Sequence, residues 1–117
     1  DLDNAILSWQ NNYSSALSIY GDINTWDVSA ITDFSSLFQL YTDFNSDISN
    51  WDVSNGTNFS YMFAQSNFNQ DIGSWDVSNG TNFSYMFSQA SGFDQNLSLW
   101  NVTNGVNFSN MFSNNFR

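Results

Sequence analysis

The chain has 117 residues, one domain's worth and enough to bury a core of its own. All eleven acidic side chains are Asp and the single basic one is Arg117, so a net charge of -10 makes nucleic acid and anionic membrane poor partners. Without His, Cys or Lys the chain has no zinc, iron-sulfur or haem ligand set, no thiol nucleophile, no imidazole base and no Schiff-base chemistry. It holds no run of about 18 apolar residues, which excludes membrane insertion as a single helix. It opens on Asp rather than Met and so reads as a processed or excised chain. The absence of Cys fits a cytosolic chain as well as a secreted one, but a composition rich in Asn, Ser and Asp with no Lys points to an extracellular or cell-surface location.

Residues 1 to 20 stand apart from the rest. Ala5, Ile6, Trp9, Tyr13, Leu17 and Tyr20 fall near helical spacing and Asp3 is placed to cap, which predicts one helix over residues 3 to 19 that covers the open end of the first repeat unit. The repeat itself runs from residue 21 to 117. Trp26, Trp51, Trp75 and Trp100 are spaced by 25, 24 and 25 residues, and the string WDVSNGTNFSYMF occurs at 51 to 63 and again at 75 to 87. Each unit carries the same apolar skeleton, in the third Phe68, Ile72, Trp75, Val77, Phe83, Met86 and Phe87. The one-residue slips fall in polar loops between these positions.

Within a unit the period changes. Trp75, Asp76 and Val77 alternate as a short strand does, Ser-Asn-Gly is turn chemistry, and Phe83, Met86 and Phe87 sit at i, i+3 and i+4. The pattern predicts a short parallel strand, a tight turn, a short helix or 3₁₀ segment and a return loop, that is, four coils of a repeat solenoid with strand hydrogen bonds between coils. One such unit buries too little to fold alone. No counterpart of the N-terminal helix closes the far end, where Phe108, Met111, Phe112 and Phe116 predict a self-assembly surface or the seat of another molecule.

FNQDIGSWDVSNGTNFSYMF, at 68 to 87, is similar to the repeat of BspA-like, leucine-rich-repeat-type surface proteins, close to FNQDISNWDVSNVTNMSYMF. YGDINTWDVSAITDFSSLF, at 20 to 38, resembles the start of such arrays. The resemblance implies a leucine-rich-repeat-like right-handed solenoid on a secreted or surface-anchored protein, with adhesion and recognition as its function. Two departures stand out. Phe34, Phe59, Phe83 and Phe108 replace a common Met, and Gly56, Gly80 and Gly105 replace a Val where the first unit keeps Ile31, which suggests a close backbone approach or a left-handed turn.

Asn-X-Ser/Thr triplets at Asn58, Asn82 and Asn107, which recur at one repeat position, and at Asn55, Asn79, Asn12, Asn96 and Asn101 are candidate glycan acceptors. The competing reading is that Asn caps and turns the chain at these points. Asp27, Asp52 and Asp76, continued by Asn101, form one ladder; Asp22, Asp47 and Asp71, continued by Asn96, form another. Carboxylates about 5 Å apart repel by about 0.8 kcal/mol in water and about 3 kcal/mol at an effective dielectric of 20. Hydrogen-bond donors are the favoured relief. Calcium at Asp27, Asp52 and Asp76 is the one cofactor candidate.

The fixed positions of the aromatics argue for core, with Tyr41, Tyr61 and Tyr85 the exposed ones. Every Asp repeats or sits in a loop, so no pocket for paired-carboxylate hydrolysis emerges and an enzyme is not expected. Two functions remain: a non-enzymatic surface module that binds a protein or carbohydrate surface, or a segment of a glycosylated fibre or coat whose copies stack end to end.

Overall fold

The structure is a computed structural model that describes residues 1–114. Its N-terminal segment is two helices, not one. α1 spans Leu2–Asn11 and α2 spans Tyr13–Tyr20, and the break is Asn12 at φ -148°, ψ 62°. Asn is a weak helix former because its side chain competes for backbone groups, and two stand here in a row. The cap also differs from expectation: the Asp1 carboxylate, not Asp3, accepts the Asn4 N–H at 2.9 Å. Ala5, Ile6 and Trp9 of α1 and Ala16 of α2 turn inward. A 3₁₀ turn, Ile23–Thr25, follows with Asp22 as its cap.

Beyond Thr25 the described residues form neither helix nor strand, which overturns the strand-based, right-handed leucine-rich-repeat-like solenoid expected from the sequence. Strand-type pairing among them is confined to the isolated parallel bridges Asp33 to Asn58, Asn58 to Asn82 and Asn82 to Asn107. The reason is where the backbone donors go. Around Trp75, Asp76 and Val77 the Trp75 N–H binds the Ile72 carbonyl at 3.1 Å, the Ser78 N–H binds Asp76 Oδ1 at 3.0 Å, and the Gly80 N–H binds the Val77 carbonyl at 2.9 Å. Three successive turns use the donors that a sheet ladder needs.

The Phe-Met-Phe segment fails as a helix for a related reason. Two residues per unit take a left-handed backbone: Ser36 and Leu40, Tyr61 and Gln65, Tyr85 and Gln89, Asn110 and Asn114, with φ between 55° and 67°. In the first three units each reversal turns an N–H out of the segment toward the next unit. Phe83, Tyr85, Phe87 and Gln89 donate to the carbonyls of Asn107, Ser109, Met111 and Ser113 at 2.8 to 3.0 Å, while Met86, Ser88 and Ala90 close local turns three residues back. With the Ser84 N–H turned to Asn82 Oδ1, half of the donors are spent locally and half between units.

The units therefore stack in register, residue over equivalent residue. Phe34, Phe59, Phe83 and Phe108 form one column of parallel rings at 5.3 to 5.5 Å, and Phe38, Phe63, Phe87 and Phe112 form a second at 5.4 to 5.5 Å. A third runs through Phe44, Phe68 and Phe93. The tryptophans bind unit to unit: the indole N–H of Trp51, Trp75 and Trp100 reaches the carbonyl of Ile23, Ile48 and Ile72 at 2.7, 3.0 and 2.9 Å. The Cα radius of gyration is 13.5 Å, close to the value of about 13 Å for a compact domain of 100 residues.

Gly56, Gly80 and Gly105 show no left-handed turn, and what approaches them most closely is a side-chain ring and not backbone. A Cβ at Gly80 would lie 2.4 Å from Cζ of Phe83, and at Gly56 2.5 Å from Cζ of Phe59, so the ring three residues on occupies the space a side chain needs.

Candidate functional site

Three columns of Asp or Asn run along the stacked units, and all use the same device. In the first, Oδ1 of Asp27, Asp52 and Asp76 accepts both the N–H and the Oγ–H of Ser29, Ser54 and Ser78, at 3.0 Å and at 2.5 to 2.6 Å. Asn101 repeats the arrangement with Thr103 at 3.1 and 2.6 Å. The hydroxyl bond, then the amide bond, hold these three carboxyls below the usual carboxylate range, against a weaker upward push on Asp52 from burial and from Asp76 and Asp27. Asp33 is lowered by Ser35 in the same way.

The second column, Asp22, Asp47, Asp71 and Asn96, accepts the N–H of Asn24, Ser49, Gly73 and Ser98, each at 2.9 Å. The third, Asp33, Asn58, Asn82 and Asn107, accepts the N–H of Ser35, Ser60, Ser84 and Ser109 at 2.9 to 3.0 Å. These side chains are turn-formers first, exposed second. Among the described residues no group of three Asp is gathered as a metal-ion shell.

The eight Asn-X-Ser/Thr sites divide on chemistry. Asn55 and Asn79 donate Nδ2 to the carbonyls of Ser29 and Ser54 at 2.7 Å, so the nitrogen that would carry a glycan is tied between units. Asn58, Asn82, Asn107, Asn96 and Asn101 engage the carboxamide oxygen instead. Asn12 is exposed between α1 and α2.

The aromatics are core, as their spacing predicts, apart from a few. Tyr61 and Tyr85 stack at 4.7 Å with planes 3° apart, Tyr61 being 37% exposed. Tyr41 is half-buried against the core. Phe108 and Phe112 are 41% and 49% exposed where Phe59, Phe83, Phe63 and Phe87 are fully buried, and Met111 is half-buried. Phe116 lies outside the described residues.

Two grooves flank the junction of the helices with the first unit. One, of about 460 Å³, is lined by Leu2, Ala5, Tyr20, Trp26, Val28 and Ile31, with Asp27 beside them. The other, of about 450 Å³, gathers Trp9, Tyr13, Asp22, Asn24, Ser46 and Asp47. Nothing in the repeat pattern pointed to either. Their walls come from elements distant in sequence, and the one hint was that Trp26 follows a segment unlike any repeat.

A family described as Mycoplasma protein of unknown function, DUF285, matches residues 7–117. No curated protein and no solved structure matches the chain. Among the described residues no helix is long and apolar enough to cross a membrane.

Proposed function

The chain belongs to the DUF285 family, and from that premise we propose that it is a non-enzymatic recognition module of an extracellular or cell surface, of the BspA-like type that its repeat resembles. The observation that carries this reading is the set of three Asp and Asn columns, two of them exposed and the third half-buried at Asn58 and Asn82, in which each side chain accepts the N–H two residues on in successive units. Groups fixed before contact lose little freedom on binding, which favours recognition of an extended partner surface. Residue chemistry supports the absence of catalysis: with no His, Cys, Lys or Glu, the carboxylates are the strongest candidates for acid–base work, and those with shifted pKa values are lowered, opposite to what a general acid needs. Purified protein on arrays of glycans and extracellular proteins, and on intact cells, gives saturable binding. Binding no greater than that of the heat-unfolded chain overturns the reading.

A second reading, end-on association of copies, is favoured by the exposure of Phe108 and Phe112 on the last described unit. Light scattering then shows a mass that rises with concentration; a constant monomer mass overturns it.

A further inference from the structure

The three columns recur along the stack, whereas the junction of α2 with the first unit occurs once. Trp26 has no preceding unit to bind, so its indole N–H turns back to the Gly21 carbonyl at 3.0 Å and its ring stays half-buried. The ring stands edge-on to Trp9 at 5.6 Å and to Tyr20 at 5.5 Å, and Tyr20 is itself 47% exposed. Tyr20 and Trp26, but not Trp9, line the groove of about 460 Å³, with Leu2, Ala5, Val28 and Ile31 as its apolar part and Asp1 among its polar part. The exposed carboxylate of Asp27 lines the same groove, and its Oδ1 is fixed by Ser29.

An aromatic wall, an apolar floor and a fixed carboxylate suit a side chain with an apolar stem and a flat cationic head. Among the described residues there is no Arg or Lys, the chain's single basic side chain being Arg117. An anionic ligand is repelled by a chain of net charge -10, and an uncharged aromatic one leaves the negative charge of Asp27 uncompensated. A lysine pairs with the carboxylate but does not stack as a guanidinium does. We propose that this groove seats an arginine side chain presented by a basic segment of a protein partner, an inference that rests on the recognition reading above. The stem lies on Leu2 and Ile31, the guanidinium meets the ring of Trp26, and Asp27 accepts from it. The surplus negative charge steers the basic segment toward the surface and the groove selects the residue.

The test is a titration of ¹⁵N-labelled protein, at about 0.15 M salt, with a capped peptide of alternating Gly and Arg, then with the same peptide carrying citrulline, the neutral isostere, in place of Arg. Shifts confined to Tyr20, Trp26, Val28 and Ile31, and lost with citrulline, are the expected result. Asp27→Asn and Tyr20→Ala each weaken binding about tenfold. Asp52→Asn and Asp76→Asn, which remove the same Ser-held carboxylate outside this groove, change it by less than about twofold. If Tyr20→Ala fails to fold, Asp27→Asn still decides, because Asn101 already makes the same turn with a carboxamide. Equal effects at Asp27, Asp52 and Asp76, shifts spread along the column, or no shifts at the groove overturn the proposal. Saturable surface binding that persists in those cases leaves the recognition reading standing; its loss as well removes both.

Discussion

At the scale of single residues the Asp-to-Ser contacts decide how the chain answers acid. Asp27, Asp33, Asp52 and Asp76 are held below their ordinary value of 3.8 by bonds made only in the folded chain. A depressed folded-state pKa contributes stability that is complete above the unfolded value and is lost as the pH falls through the folded one. The melting temperature therefore drops below about pH 4. Replacing Asp27, Asp52 and Asp76 together by Asn, the residue already present at 101, lowers the melting temperature at pH 7 and makes the acid decline shallower; calorimetry against pH measures both. Two backbone positions give predictions of opposite sign. Gly80→Ala drives a Cβ into the Phe83 ring and costs about 1–3 kcal/mol in urea unfolding. Leu40 is 60% exposed at φ 67°, where an L side chain is strained, so Leu40→Gly gains about 0.5–1 kcal/mol in the same measurement.

At the scale of the repeat the stacked rings supply the packing. Phe63 is fully buried between Phe38 and Phe87, with Phe68 at 4.3 Å. Phe63→Ala leaves a cavity walled on all sides and costs about 3–5 kcal/mol. Phe112, in the same column but 49% exposed, stacks on Phe87 on one side only among the described residues, so its replacement costs about half as much. Urea midpoints of the two variants provide the comparison. The spacing of Phe83, Met86 and Phe87 foretold which side chains are buried but misnamed the backbone between them. A helix and a chain of turns with left-handed residues at Tyr85 and Gln89 put the same three side chains inward. Left-handed positions are usually announced by Gly or Asn, and here Tyr, Gln, Leu and Ser occupy most of them, offset by the hydrogen bonds that these residues' N–H groups make to the next unit.

For the whole molecule charge outweighs every other surface property. Eleven Asp and one Arg put ten uncompensated charges on a body 38 × 29 × 20 Å. Self-repulsion at this density is screened by salt. Raising NaCl from about 0.05 M to 0.5 M, which brings the screening length well below 10 Å, raises the melting temperature at pH 7. A fall would show that this repulsion does not limit the stability of the folded chain.

The sequence by itself determined the register of the units, the identity of the core and the chemistry the chain lacks, because residue type and spacing alone decide which side chains seek burial and which reactions have no donor. Trp51, Trp75 and the Phe columns stand where the 24- to 25-residue period placed them. Tertiary structure decided the rest. Whether Ser78 N–H joins a ladder or turns to Asp76, and whether Tyr85 N–H stays in a helix or crosses to Ser109, depends on what lies one unit away. The groove beside Asp27 exists only because α1, α2 and the first unit meet there, and no local pattern encodes a meeting of distant elements.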